Sequence, residues 1–123
     1  MRFPRTLILP DQAIAGSSSE RVIVFNFDFS SVFPYTIREM QPGEIILAAF
    51  IEIEEVFAGG FSLSVGFPVD NEKLLRKSNI NPQKVGGYGG MLLYPSLGSE
   101  TLTLYKTGAS LIGKGFGVVE LIK

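Results

Sequence analysis

The chain has 123 residues, a formal net charge of −1, and neither cysteine nor histidine. It is therefore one domain of ordinary size, with no disulfide framework or thiolate chemistry and without the commonest general base and zinc ligand. Its charges are scattered and form no basic patch, which argues against nucleic-acid binding.

Residues Met1 to Pro10 hold a short strand candidate, Thr6 to Leu9, between Pro4 and Pro10. Flanking prolines suit an edge strand or an arm that docks on something. Leu7-Ile8-Leu9 is too short an apolar core for a secretory signal, and Pro10-Asp11 ends it. Asp11 to Glu20, with Gly16 and three serines, reads as a linker. The expected organisation is an arm and linker over 1–20 and a domain over 21–123.

Arg21 to Ser30 alternates strongly, with Ile23, Phe25, Phe27 and Phe29 on one face. That period of two predicts a strand, and burying each phenylalanine contributes roughly 1.5–3 kcal/mol. Val32 to Met40, broken by Pro34, is a weaker strand, and Gln41-Pro42-Gly43 is a turn. Gly43 to Gly66 then reads as two antiparallel strands joined at Gly59-Gly60, glycines being suited to the positive φ of a hairpin turn. In the first strand Ile45, Leu47, Ala49, Ile51 and Ile53 share a face. In the second, Phe61, Leu63 and Val65 do.

Asp70 can cap a short helix over Asn71 to Lys77, with Glu72 in the first turn and Arg76 and Lys77 at the end. Leu74 and Leu75 would pin it to the core. Asn79 to Gly90 reads as a glycine-rich loop containing Tyr88. Strands follow at Met91 to Tyr94, closed by Pro95, at Thr101 to Lys106, and at Phe116 to Ile122. The predicted fold is all-β: an antiparallel β-sandwich, jelly-roll-like, with one short helix.

Each candidate for chemistry has a plainer explanation. Gly108-Ala-Ser-Leu-Ile-Gly113-Lys114 matches the glycine–lysine spacing of a phosphate-binding loop. The next residue is Gly115, where a magnesium-binding hydroxyl belongs, and a strand pattern follows instead of a helix. A hairpin turn is the expectation there. Glu52 and Glu54 share a strand face at a separation suited to paired-carboxylate glycoside cleavage, with Glu55 and Asp28 nearby. Carboxylates at the solvated end of a strand also keep sheet edges apart. Asp70-Asn71-Glu72 lacks the ligand spacing of a calcium loop. Tyr88, among Gly86, Gly87, Gly89 and Gly90, suits either an exposed contact or a cover over a core edge. No catalytic, cofactor-binding or metal-ligating residue is expected.

Hydrophobic residues make up 46% of the chain and charged residues 19%, with a mean hydropathy of +0.28. That is apolar for this size and predicts surface buried between subunits. The apolar runs fall short of the ~20 residues that cross a bilayer, so no membrane partner is expected. Phe3, Leu7, Ile8, Leu9 and Tyr88 are the candidate interface residues. The arm, too short to form a sheet alone, is expected to pair with an edge of a neighbouring subunit.

The segment Glu55-Val56-Phe57-Ala58-Gly59-Gly60-Phe61-Ser62-Leu63-Ser64-Val65-Gly66 resembles small β-sandwich structural proteins of tailed bacteriophages, namely capsid decoration, head-fibre and tail modules. Leu74-Leu75, Gly86-Gly87-Tyr88, Thr101-Leu102-Thr103-Leu104 and Gly115-Phe116-Gly117-Val118-Val119 continue the similarity over about the C-terminal two-thirds. The resemblance implies a non-enzymatic virion protein, assembled in the host cytoplasm, that self-associates and docks on a capsid or tail surface. It also implies a homo-oligomer, with a trimer favoured, and no cofactor. The alternative is a carbohydrate-binding β-sandwich, in which tyrosines would have to replace the absent tryptophan as a stacking platform.

Overall fold

A computed structural model describes residues 21–96 and 98–122. Within them lie eight strands: β1 Arg21–Asp28, β2 Tyr35–Glu39, β3 Ile45–Glu55, β4 Ser62–Phe67, β5 Asp70–Leu75, β6 Gly86–Pro95, β7 Thr101–Thr107 and β8 Lys114–Ile122. They form two four-stranded antiparallel sheets, ordered β1-β8-β3-β6 and β2-β7-β4-β5. Apart from β4 and β5, chain-sequential strands lie in opposite sheets, and the fold is the all-β antiparallel sandwich that the sequence predicted. The expected arm over 1–20, with Phe3, Leu7, Ile8 and Leu9, lies outside the described residues.

The interleaving corrects the expected hairpin over Gly43 to Gly66. β3 belongs to the first sheet and β4 to the second, so the Gly59-Gly60 turn carries the chain across the sandwich. The local pattern was correct, because Gly60 does take a positive φ of 87°. What it could not reveal was the partner: β3 pairs with β6 and β8, and β4 with β5 and β7. The segment Gly108 to Gly115 is corrected in the same way. It links β7 and β8 across the two sheets and is no hairpin turn. Consecutive strands hydrogen-bond to each other at β4–β5.

β1 buries Phe25 and Phe27 and leaves Val24 half exposed. Phe29 departs from the expected face because β1 ends at Asp28. The Asp28 carboxylate accepts hydrogen bonds from the Ser30 backbone N–H and hydroxyl at 2.8 and 2.6 Å, a side-chain turn that stops the strand. In β3 a bulge falls between Ile46 and Ala48 against both neighbours. An inserted residue reverses the alternation, so Ile46 rather than Ile45 or Leu47 enters the core, followed by Ala49, Ile51 and Ile53.

The predicted helix over Asn71 to Lys77 is instead strand β5, and a 3-10 turn at Lys77–Asn79 is the helical element of the described residues. The Asp70 carboxylate does accept from a backbone N–H, that of Glu72 at 3.1 Å. The same side-chain bond starts helices and closes tight turns, and here the open edge of β4 offered a ladder. Leu74 and Leu75 are buried as expected.

The glycine run expected as loop is also strand, because β6 begins at Gly86. Gly89, at φ 133°, lies so close to β3 that a Cβ there would fall 2.1 Å from the Ala49 carbonyl oxygen. Glycine here brings a backbone close. β8 uses the same device inward: a Cβ on Gly117 would fall 2.1 Å from Phe25 Cζ, and one on Gly115 would fall 3.0 Å from Phe27 Cζ. The core is thus aromatic in β1 because β8 is empty opposite it. Phe57 and Phe61 stack at 4.5 Å and 4°, and Phe27 lies 6.1 Å from Phe57.

Candidate functional site

Strand directions give the sandwich two unlike ends. At one end lie the connection from β2 to β3 and the starts of β1 and β7. There Glu44, fully buried, accepts from the guanidinium groups of Arg21 and Arg38 and from the Gln41 N–H at 2.8 Å. Burial alone would push its carboxyl up. The Arg38 hydrogen bond, the Gln41 N–H and the charges of Arg38 and Arg21 outweigh this and hold it below the usual glutamate value. Nearby, burial and the Glu100 carboxylate raise the Tyr94 phenol, whose hydroxyl donates to Glu100 Oε2 at 2.8 Å. These groups hold one another and tie the two sheets together.

The opposite end gathers the connections β1–β2, β3–β4, β5–β6 and β7–β8. Backbone bonds lock them. Phe29 N–H donates to Gly113 O at 3.0 Å and Phe57 N–H to Pro82 O at 2.9 Å. Ala58 N–H donates to Ser110 Oγ at 2.8 Å, and the Gln83 amide to the Ala58 and Phe61 carbonyls at 2.8 and 2.9 Å. From this braced platform project Phe29, Val32, Val56, Val85, Leu111 and Ile112, with Val32 83% and Leu111 86% exposed. Six large apolar side chains concentrated at one end are a candidate interaction surface. Sequence reasoning missed it. The available signal was Leu111-Ile112, two aliphatic residues inside a glycine- and serine-rich connection.

Beside this end, Asn26, Asp28, Ser31, Glu54 and Lys114 line an open depression of about 260 Å³. Hydrogen bonds from Ser30 and Ser31 outweigh a small burial effect and keep the Asp28 carboxyl below its ordinary value. A glycosidase acid needs the opposite shift. Glu52 is 6% exposed and Glu54 is exposed, so the two carboxylates do not share one environment. The Gly108 to Gly115 segment runs into strand β8, so no helix N-terminus faces a phosphate there. Among the described residues no group of three or more acidic side chains converges as a metal site.

Tyr88 lies on β6, packed against the core, and its hydroxyl donates to Lys84 O at 2.9 Å. Its ring covers a core edge. On the same strand, terminal in its sheet, Met91 and Leu93 are 70% and 63% exposed.

No protein-family model and no curated protein sequence matches the chain. Solved structures are similar, two of which are phage capsids. A chain in the acidic stable capsid structure of Helicobacter pylori bacteriophage KHP30 matches with a TM-score of 0.69 and 15% identity, over 87% of this chain and 90% of that one. A chain in the cyanophage Pam1 capsid asymmetric unit matches with a TM-score of 0.61 and 12% identity, over 84% of each. At these identities the likeness is one of fold, and it spans nearly the whole length of both partners.

Proposed function

We propose that the chain is a structural, non-enzymatic protein of a bacteriophage virion that docks on the capsid shell. The observation that carries this reading is the fold shared along nearly the full length with chains of two phage capsids. The braced apolar end, with Val32 and Leu111 outermost, supplies the docking surface, and its partner is an apolar patch on the shell protein. Self-association uses the margin of β6, where Met91 and Leu93 project from a terminal strand. A closed ring of copies satisfies such a contact without running on into filaments.

The test is co-sedimentation of purified protein with capsid shells lacking it. Val32→Asp with Leu111→Asp should weaken binding at least tenfold while leaving the melting temperature within a few degrees. Failure of the native protein to bind shells, or unchanged binding by the double variant, would overturn the reading. Gel filtration with light scattering measures the accompanying oligomer.

A further inference from the structure

Among the described residues the two sheets end in four marginal strands, and the margins are unlike. Those of the β2-β7-β4-β5 sheet are guarded. β2 has five residues, holds Arg38 and Glu39, and is bulged between Thr36 and Arg38. β5 carries Asp70, Glu72 and Lys73. Short length, charge and bulges keep an edge strand from pairing with other chains. The margins of the β1-β8-β3-β6 sheet are far more open. β6 is ten residues long without a charge, and its ladder on β3 is regular from Gly86 to Met91, before the bulge. β1 pairs with β8 without a break and is charged only at its two ends, Arg21 and Asp28. Glu44 holds the first and Ser30 the second.

Strand direction points the same way. The open-edged sheet has four strands, each antiparallel to the next, so its two marginal strands run in opposite senses. β1 runs toward the apolar end of the sandwich and β6 away from it. The β6 margin of one copy therefore meets the β1 margin of another as an ordinary antiparallel pair, with both apolar ends on one side. Pairing β6 with β6 would also be antiparallel, but it would turn the two apolar ends in opposite directions. Gly90 fits a joint on this margin. Its φ is not positive and a Cβ there would meet nothing within 4 Å, so its own chain does not require glycine. Glycine within a strand also marks the close approach of another backbone.

We propose that copies of the chain join edge to edge in a closed ring, β6 of each hydrogen-bonding to β1 of the next. The ring rests on the self-association reading of β6 given above and supplies its partner strand. Main-chain bonds across the joint give the affinity, and one repeated heterologous contact closes by rotation. Every apolar end then faces the same side, as docking on a shell requires. Val24 and Met91, 49% and 70% exposed, lie on the outward face of the sheet and flank the joint from its two sides.

The chain has no cysteine, so introduced thiols are unambiguous. A short bismaleimide spans the ~7–8 Å of a diagonal cross-strand pair but not the ~14 Å that separates β1 from β6 within one copy. An equimolar mixture of Met91→Cys and Val24→Cys chains should give dimers containing one of each, at least fivefold more than either variant alone. A chain carrying both substitutions should give a ladder that stops at one ring size. Met91→Lys, which adds a guarding charge to β6, should reduce the mass in light scattering to that of a single chain while the melting temperature stays within a few degrees. Equally strong cross-linking of Met91→Cys alone would mean β6 pairs with β6 and would overturn the ring, as would a ladder without end. A mixture that sediments with capsid shells yet forms no cross-links, there or in solution, would sink the ring and leave the docking reading standing.

Discussion

The Arg38 side chain of β2, in one sheet, closes on the Glu44 carboxylate that leads into β3 of the other, with Arg38 Nε 3.4 Å from Glu44 Oε1 and Nη2 on Glu44 Oε2. Arg21 at the start of β1 reaches the same Oε2. One buried carboxylate thus joins three strands across the sandwich. Removing one partner of a fully buried pair costs about 3–5 kcal/mol. Both guanidinium groups reach water, at 46% and 24% side-chain exposure, which lowers the figure. Glu44→Gln should therefore destabilise the fold by about 2–3 kcal/mol in urea unfolding, with an unchanged m-value.

The same carboxylate sets a pH dependence. Its folded-state pKa lies below its ordinary value of 4.5, so the unfolded chain binds the proton first. The stabilisation is complete above that ordinary value and is lost as pH falls through the lower folded value. Melting temperature should drop more steeply on acidification in the native protein than in Glu44→Gln. Parallel curves would remove Glu44 from this role.

Gly117 predicts a steric effect. A methyl group there meets the Phe25 ring at 2.1 Å, and overpacking of this kind costs about 1–3 kcal/mol. Gly117→Ala should unfold at lower urea, and Phe25→Leu in the same chain should recover part of the loss. The coupling in a double-mutant cycle measures the contact directly.

For the Gly108 to Gly115 segment, magnesium-ATP should leave the melting temperature unchanged. A ligand at 100 times its dissociation constant would add about 2.7 kcal/mol. A shift that disappears in Lys114→Ala would establish a nucleotide site in a strand-to-strand connection.

Strand positions and inward faces were legible wherever local chemistry decides them. Phe25 and Phe27, Leu63 and Val65, and Leu102 and Leu104 alternate in sequence and are buried in the structure, because a pleated strand must send successive side chains to opposite faces. Four features were not legible, each for its own reason. Asp70 presents the same hydrogen bond to a helix start or a turn, and the free edge of β4 chose the turn. The bulge at β3 shifts the core from Leu47 to Ile46 through a register held by two neighbouring strands. The glycines around Tyr88 read as a loop, yet they lie in strand β6, where Gly89 allows a close approach to β3. The apolar end is assembled from four connections far apart in sequence.

By itself, then, the sequence determined which segments are extended, which side chains turn inward, and that chemistry based on thiols or imidazole is absent. Those properties follow from side-chain type and a period of two, both written locally. Pairing was decided by tertiary structure alone: β3 against β6 and β8, and β4 against β5 and β7. A glycine turn permits the chain to reverse but does not say whether the next strand stays in its sheet or crosses the core. That choice rests on which placement buries both apolar faces at once.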